Sequence, residues 1–213
     1  MNEQQVTPID STEQQAPPID SDDAAWVSFK TPLKKDDLIS FCQDISRLLR
    51  INPYLEFINW QQLSDNQYQL EALNISCEPA ISININIDVE PLNDGVRLNY
   101  SQGIKASTIF KVTDETDGSS LTIIDSYDAL AESEREQRLN EVDKSLVKWA
   151  EDIQQYLIKW NRWSRIGLWR WYMKNVWQPM KPSARRITYM ILWITLVEIA
   201  LISLGATIYL IEY

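Results

Sequence analysis

The sequence predicts an α+β domain, an antiparallel sheet packed on one long helix, followed by a membrane-interface helix and a single transmembrane helix. Three observations predict it. Between Tyr54 and Tyr127 apolar residues alternate with a period of two, the mark of strands with one buried face. From Leu139 to Trp160 they recur every three or four positions, the mark of an amphipathic helix. From Ile187 to Ile211 the chain runs 25 residues with one charge, Glu198.

Residues 1–24 are polar and duplicated. Glu3-Gln-Gln-Val-Thr-Pro-Ile-Asp-Ser11 returns as Glu13-Gln-Gln-Ala-Pro-Pro-Ile-Asp-Ser21. Proline-rich copies of nine residues bury no core, so the tail is expected to be disordered. Residues 25–33 then form a first strand with Val27 and Phe29 on one face. Leu38, Phe41, Cys42, Ile45, Leu48 and Leu49 place a helix next. Asp36 and Asp37 favour its start and Arg47 and Arg50 its end, and Pro53 stops it.

The period-two region resolves into strands at 55–62, 67–76, 80–90, 95–101, 104–113 and 119–127. In Ile81-Ser-Ile-Asn-Ile-Asn-Ile-Asp-Val89 five branched aliphatics share one face and Ser82, Asn84, Asn86 and Asp88 the other. Ile104, Ala106, Thr108, Phe110 and Val112 repeat the pattern. Asp65-Asn66, Glu78-Pro79, Asn93-Asp94-Gly95, Gln102-Gly103 and Asp117-Gly118 are turn sequences between them. Consecutive strands without intervening helices make an antiparallel meander.

The long helix opens at a Ser133/Glu136 capping box. Leu139, Val142, Leu146, Trp149, Ile153, Leu157 and Trp160 form its apolar stripe. Five of the nine tryptophans follow within 18 residues, at Trp160, Trp163, Trp169, Trp171 and Trp177, interleaved with Arg162, Arg165, Arg170 and Lys174. Indole rings favour the bilayer interface and basic side chains pair with headgroups. These residues, with Arg185 and Arg186, are therefore the expected membrane interface, in an interfacial helix broken at Pro179 and near Pro182.

At ~1.5 Å per residue the run 187–211 reaches ~37 Å, enough to span a ~30 Å hydrocarbon layer. Its position at the end of the sequence leads us to expect a tail anchor. On a helix Thr195, Glu198 and Gly205 share one face, a polar and small-residue stripe suited to packing against another membrane helix or a second copy of the chain. The domain organisation is thus a tail (1–24), a domain (25–160), a basic Trp-rich segment (161–186) and a span (187–211).

Charge is divided along the chain. Residues 159–186 hold eight basic groups and no acidic one, while residues 1–158 hold 12 basic and 28 acidic groups. The acidic domain repels phosphate backbones, so no nucleic-acid partner is expected. The basic collar suits anionic lipid headgroups and places the N-terminal domain on the cytoplasmic side. The N-terminus lacks the basic and apolar regions of a secretory signal.

With no histidine in the chain, triad and most metal chemistry lack their usual group. Neither Cys42 nor Cys77 has metal-ligand spacing, and both read as reduced, apolar residues. No metal, cofactor or catalytic residue is expected. Carboxylates, Lys105, Lys111, Arg97 and tyrosines are the available acids and bases. The acidic side chains read as solvent-facing (Asp88, Glu90) or as turn residues.

The order of elements, with the stretch Asp37-Leu-Ile-Ser-Phe-Cys-Gln-Asp-Ile-Ser-Arg-Leu-Leu-Arg-Ile-Asn-Pro-Tyr54 leading into the second strand, resembles the START-like superfamily, also called SRPBCC or Bet v 1-like, over about residues 25–160. That resemblance implies a helix-grip fold, a curved sheet wrapped around the long helix with an apolar cavity between them. It implies an apolar small-molecule ligand (a lipid, quinone or polyketide-like molecule). Phe41, Ile45, Tyr54, Phe57, Ile83, Ile85, Tyr100, Phe110, Ile123, Trp149 and Ile153 would line the cavity. The alternatives are a cyclase-type enzyme on a lipid-like substrate and a non-catalytic assembly factor for a membrane protein. The C-terminal span and the missing histidine depart from better-known members, and the second removes His-assisted chemistry.

Overall fold

The computed structural model describes residues 24–76, 79–103, 105–127 and 132–212, with side chains of the long helix described from Leu146 onward. The duplicated tail up to residue 23, Cys77, Ile104, and the side chains of Ser133, Glu136, Leu139 and Val142 lie outside the described residues.

The elements in order are β1 (Ala24–Thr31), α1 (Lys35–Gln43), α2 (Ile45–Arg50), β2 (Leu55–Ser64), β3 (Gln67–Asn74), β4 (Ile81–Leu92), β5 (Gly95–Tyr100), β6 (Ser107–Glu115), β7 (Gly118–Ser126), α3 (Glu132–Trp163), α4 (Gly167–Tyr172), a π-helical turn (Met173–Trp177) and α5 (Pro182–Glu212). All seven strands join one sheet in the order β1-β7-β6-β5-β4-β3-β2, and every pairing is antiparallel. A seven-stranded antiparallel sheet followed by a long helix is the helix-grip arrangement.

One helix was expected across Leu38–Leu49, and the structure has two. Asp44 leaves the helical region (φ −82°, ψ 77°) and its side chain caps α2 by accepting from the Arg47 N–H at 3.2 Å. An Asp competes with the backbone in this way whenever its carboxylate reaches the next turn. The apolar stripe survives the break, because Leu38, Phe41, Cys42, Ile45, Leu48 and Leu49 are all buried.

Two hairpins bring backbones unusually close. A Cβ on Gly95 would sit 1.8 Å from the Phe110 carbonyl oxygen. One on Gly118, at φ +120°, would sit 2.3 Å from that of Thr31. Only glycine fits either place.

The core forms where the helices meet the sheet. α1 packs on β5, β6 and β7, and α3 packs along β1. Val96, Leu98, Phe110, Leu121 and Ile123 from the strands, and Leu146, Trp149, Ile153 and Leu157 from α3, are buried in one cluster. Burial of each such aliphatic or aromatic side chain stabilises by about 1.5–3 kcal/mol. Trp149 does more than fill space. Its ring meets Phe110 edge-on at 5.4 Å, and its Nε1–H donates to the Leu48 carbonyl at 3.2 Å, tying α3 to α2 across the core.

The register sets which residues share the inner face. Leu121, Ile123 and Asp125 of β7 stand beside Val112, Phe110 and Thr108 of β6. Ile87 of β4 stands beside Tyr100 of β5 and Tyr68 of β3. Further along, Ile85 pairs with Leu70 and Leu70 with Trp60, while Ile83 pairs with Ala72 and Ala72 with Phe57. A bulge between Phe57 and Asn59 keeps both aromatics on this face despite their odd separation.

Candidate functional site

The inner face is covered unevenly. On β5, β6 and β7 its apolar side chains are fully buried beneath α1 and α3. On β2, β3 and β4 the same face is fully buried at Leu70, Ala72 and Ile87, half-buried at Phe57, Trp60, Tyr68, Ile83 and Ile85, and 47% exposed at Ile81. Trp60 stacks on Tyr68 at 5.0 Å and tilts against Phe57 at 5.8 Å. The result is an apolar wing continuous with the core and partly exposed along Phe57, Trp60, Tyr68, Ile83 and Ile81.

The eleven residues expected to line a cavity separate into two groups. Phe41, Ile45, Phe110, Ile123, Trp149 and Ile153 are buried in the common core cluster. Phe57, Ile85 and Tyr100 are half-buried against that cluster, and Tyr54 and Ile83 are half-buried as well. The first group fills the core between the helices and the sheet. The second lies on or beside the wing.

A polar cluster that the sequence reading missed stands where the wing meets the core. Asp125 has no exposed surface, and neither has Thr108. The Thr108 hydroxyl donates to Asp125 Oδ1 at 2.5 Å and accepts from the Tyr100 hydroxyl at 3.0 Å. Lys105 pairs with Asp125 Oδ2, toward which the Tyr127 hydroxyl also donates, at 3.5 Å. Burial pushes the Tyr100 phenol upward and the Asp125 charge adds to it, against a smaller opposing effect of the Thr108 hydrogen bond. Tyr100 is therefore held as a neutral donor.

The expectation that acidic side chains face solvent fails at Asp125. The signal was present: Leu121, Ile123, Asp125 and Tyr127 alternate onto one face, and parity carries Asp125 inward with its neighbours.

Below the domain, the expected membrane-interface residues face two ways. Arg162, Trp163, Arg165, Arg170, Trp171, Lys174 and Arg186 are exposed, beside Leu168 at 77%. Trp160, Trp169 and Trp177 instead pack against the domain core. Tyr156 on α3 stacks on Phe41 at 6.0 Å and on Trp160 at 6.0 Å, and tilts against Trp177 at 5.5 Å. Trp160 continues the series to Trp169 at 5.5 Å.

Arg47 sits inside this aromatic group. Its guanidinium lies 3.9 Å from the Trp160 ring centroid, 5.0 Å from Tyr156 and 5.1 Å from Phe41. Its Nε–H donates to the Tyr156 hydroxyl at 2.8 Å. Nη2 is buried without a hydrogen-bond partner among the described residues, so ring faces supply its stabilisation. The Tyr156 hydroxyl is raised by burial, an effect the Arg47 charge opposes.

Arg185 closes the joint between domain and span. Nη1 donates to the Arg50 carbonyl at 2.7 Å, Nη2 to Gln178 at 2.9 Å and Nε to Trp177 at 3.0 Å. The guanidinium also lies 4.2 Å from the Trp177 ring. The Arg50 carbonyl belongs to the end of α2, where helix carbonyls lack partners and a cation is favoured. Burial and the neighbouring Arg50 charge push the Arg185 pKa down to about 10, which leaves it protonated at neutral pH. Glu56 adds two contacts from β2, to Lys181 at 3.5 Å and Ser183 at 3.3 Å.

α5 then begins at Pro182, a residue suited to the first turn of a helix. It is the one helix among the described residues long and apolar enough to cross a membrane, over Pro182–Ile211. Thr195, Glu198 and Gly205 are exposed on it. Cys42 is buried and its thiol is pushed up to about 12 by burial, so it is inert as a nucleophile. No group of metal-ligating side chains occurs among the described residues.

No protein-family model and no curated protein matches the chain. Solved structures do, and they are START/Bet v 1-like and polyketide cyclase-like. The protein TTHA0849 from Thermus thermophilus matches over 64% of this chain and 94% of its own, at 10% identity and a TM-score of 0.48. The di-domain ARO/CYC StfQ of the steffimycin biosynthetic pathway matches over 63% of this chain at 9% identity and a TM-score of 0.48, and this chain covers half of its length. A STAR-related lipid transfer protein from Xanthomonas axonopodis matches over 63% of this chain and 85% of its own, at 12% identity and a TM-score of 0.41. At these identities the likeness concerns the fold.

Arg185→Met keeps the stem and removes three charge-assisted hydrogen bonds. We expect it to lower the local opening free energy of residues 164–181 by about 2–3 kcal/mol, roughly 30- to 150-fold in amide exchange. Hydrogen exchange by mass spectrometry on the full chain in nanodiscs reads this directly. Exchange in β5–β7 should not change.

Proposed function

We propose that this chain is a membrane-anchored binding domain that holds an apolar small molecule on the cytoplasmic face of a membrane. The observation that carries the reading is the half-covered wing on β2–β4. Stacked aromatics and isoleucines left partly exposed side by side, continuous with the packed core, support a ligand face.

The location follows from the collar and from α5. The exposed arginines, lysine and tryptophans of residues 162–174, with Arg186, match headgroups of anionic lipids. The basic residues before α5 support a cytoplasmic domain, and the length and apolar character of α5 support a membrane anchor. A lipid-like ligand would then reach the wing from the same bilayer that holds the anchor.

A second reading concerns the span itself. Glu198, exposed with Thr195 and Gly205 on an otherwise apolar helix, is costly against lipid, at ~2.5–3.5 kcal/mol on insertion scales. A partner helix, either a second copy of the chain or another membrane protein, would lower that cost through this stripe.

A photoactivatable diazirine fatty-acid methyl ester, which is uncharged, added to the full chain in nanodiscs tests the first reading. We expect adducts on peptides covering 55–74 and 81–92, reduced by excess unlabelled methyl ester. Adducts confined to α5 would contradict it. For the second reading, Glu198→Leu should reduce oligomer mass or partner co-purification in mild detergent. An unchanged mass with no lost partner would end that idea.

A further inference from the structure

We propose that the Lys105–Asp125 cluster is the head-group subsite of the same wing, and that it selects a ligand bearing a neutral carbonyl acceptor on an apolar body. This rests on the reading of the wing as a binding face and names what that face takes.

The case is an accounting of donors and acceptors. Both Asp125 oxygens are engaged, Oδ1 by the Thr108 hydroxyl and Oδ2 by Lys105 and the more distant Tyr127 hydroxyl. The Tyr100 hydroxyl proton is committed to Thr108, and the Thr108 proton to Asp125. What remains is Lys105. An ammonium has three N–H donors, and the one partner given to it among the described residues is Asp125. Its side chain is 25% exposed, while that of Asp125 is wholly buried. The open capacity of the cluster is therefore for an acceptor.

Charge narrows the acceptor further. The pair is neutral overall, so a carboxylate or phosphate at Lys105 would lie against the Asp125 charge at low dielectric, where like charges repel strongly. A carbonyl oxygen takes the free N–H without that cost.

Position supplies the body of the ligand. Lys105 Nζ lies 5.9 Å from the Trp149 ring centroid, on the helix-facing side of the sheet. Tyr100 shares the inner face with Ile87, its partner on β4, and Ile87 with Tyr68 on β3. Tyr68 stacks on Trp60. The polar cluster thus stands at one end of an apolar row in which Tyr100 and Tyr68 are half-buried and Ile87 between them is fully buried. A buried ion pair contributes little net stability compared with apolar residues of similar size, and its place at the end of this row fits selection instead.

The test uses the full chain in nanodiscs and two probes of one shape, methyl naphthyl ketone and ethylnaphthalene, with empty nanodiscs as reference. The wild type should bind the ketone about tenfold or more tighter than the hydrocarbon, as expected for a desolvated hydrogen bond to a charged donor. In Lys105→Met with Asp125→Asn, which removes both charges together, the preference should fall to about one while ethylnaphthalene affinity is kept. Equal binding by the wild type, or a preference retained by the double variant, overturns the head-group assignment alone. Binding of neither probe to the wild type overturns the wing as well. A second measurement needs no variant: the infrared carbonyl stretch of isotopically labelled ketone should move to lower frequency in the bound state than in lipid. An unmoved band overturns the proposal.

Discussion

The joint at Arg185 is the interaction on which the rest of this molecule's geometry depends. One guanidinium holds three backbone carbonyls from two sides of a boundary. Arg50 belongs to the domain, and Trp177 and Gln178 belong to the segment that leads into α5. Without it the Arg50 and Gln178 carbonyls would lose their charged donor, at about 1–3 kcal/mol each, while the Trp177 carbonyl would keep the Met180 N–H at 3.3 Å. Arg47 does the complementary work one helical turn earlier, gathering Phe41, Tyr156 and Trp160 around a charge that has no carboxylate partner among the described residues. Arg47 and Arg50 share α2, and Arg185 takes the carbonyl of the latter. The short helix α2 is thus the seat on which the membrane-proximal segment is mounted.

From that seat the inner face of the sheet is most deeply buried on β5 to β7, beneath α1. α3 packs along β1, and α2 packs on β2, where Phe57 and Trp60 stay half-buried. Arg50 places its guanidinium 4.4 Å over the Phe57 ring, so the wing starts beside the same helix that carries the joint. This proximity links the proposed ligand face to the anchor.

Much of this was readable before any coordinates. The strands fell within a few residues of their expected bounds because each has one buried face, and period two is a strong signal when one face is wet. α3 and the apolar span were equally plain. What escaped had local or tertiary causes. The break at Asp44 depends on one side chain choosing its own backbone over the helix, a competition invisible to the apolar stripe that continues through it. Asp125 was assigned by residue type to solvent although its parity placed it among Leu121 and Ile123. The collar mixed two populations that composition cannot separate. Trp163 and Trp171 are exposed, while Trp160, Trp169 and Trp177 serve the domain. An indole prefers a half-apolar, half-polar environment, and a bilayer surface and a protein surface lined by Tyr156 and Arg47 both provide one. Arg185 likewise read as one more headgroup contact, because its three acceptors are backbone atoms that leave no trace in side-chain identity.

The Arg185 joint fixes the orientation of the sheet to α5. The most direct measurement is the distance between spin labels placed at Ser82 on the outer face of β4 and Ala206 on α5, by double electron–electron resonance, in full chain reconstituted in nanodiscs with Cys77→Ser. A single narrow distance distribution that broadens in Arg185→Met is the result this account predicts. A distribution already broad with Arg185 in place would contradict it.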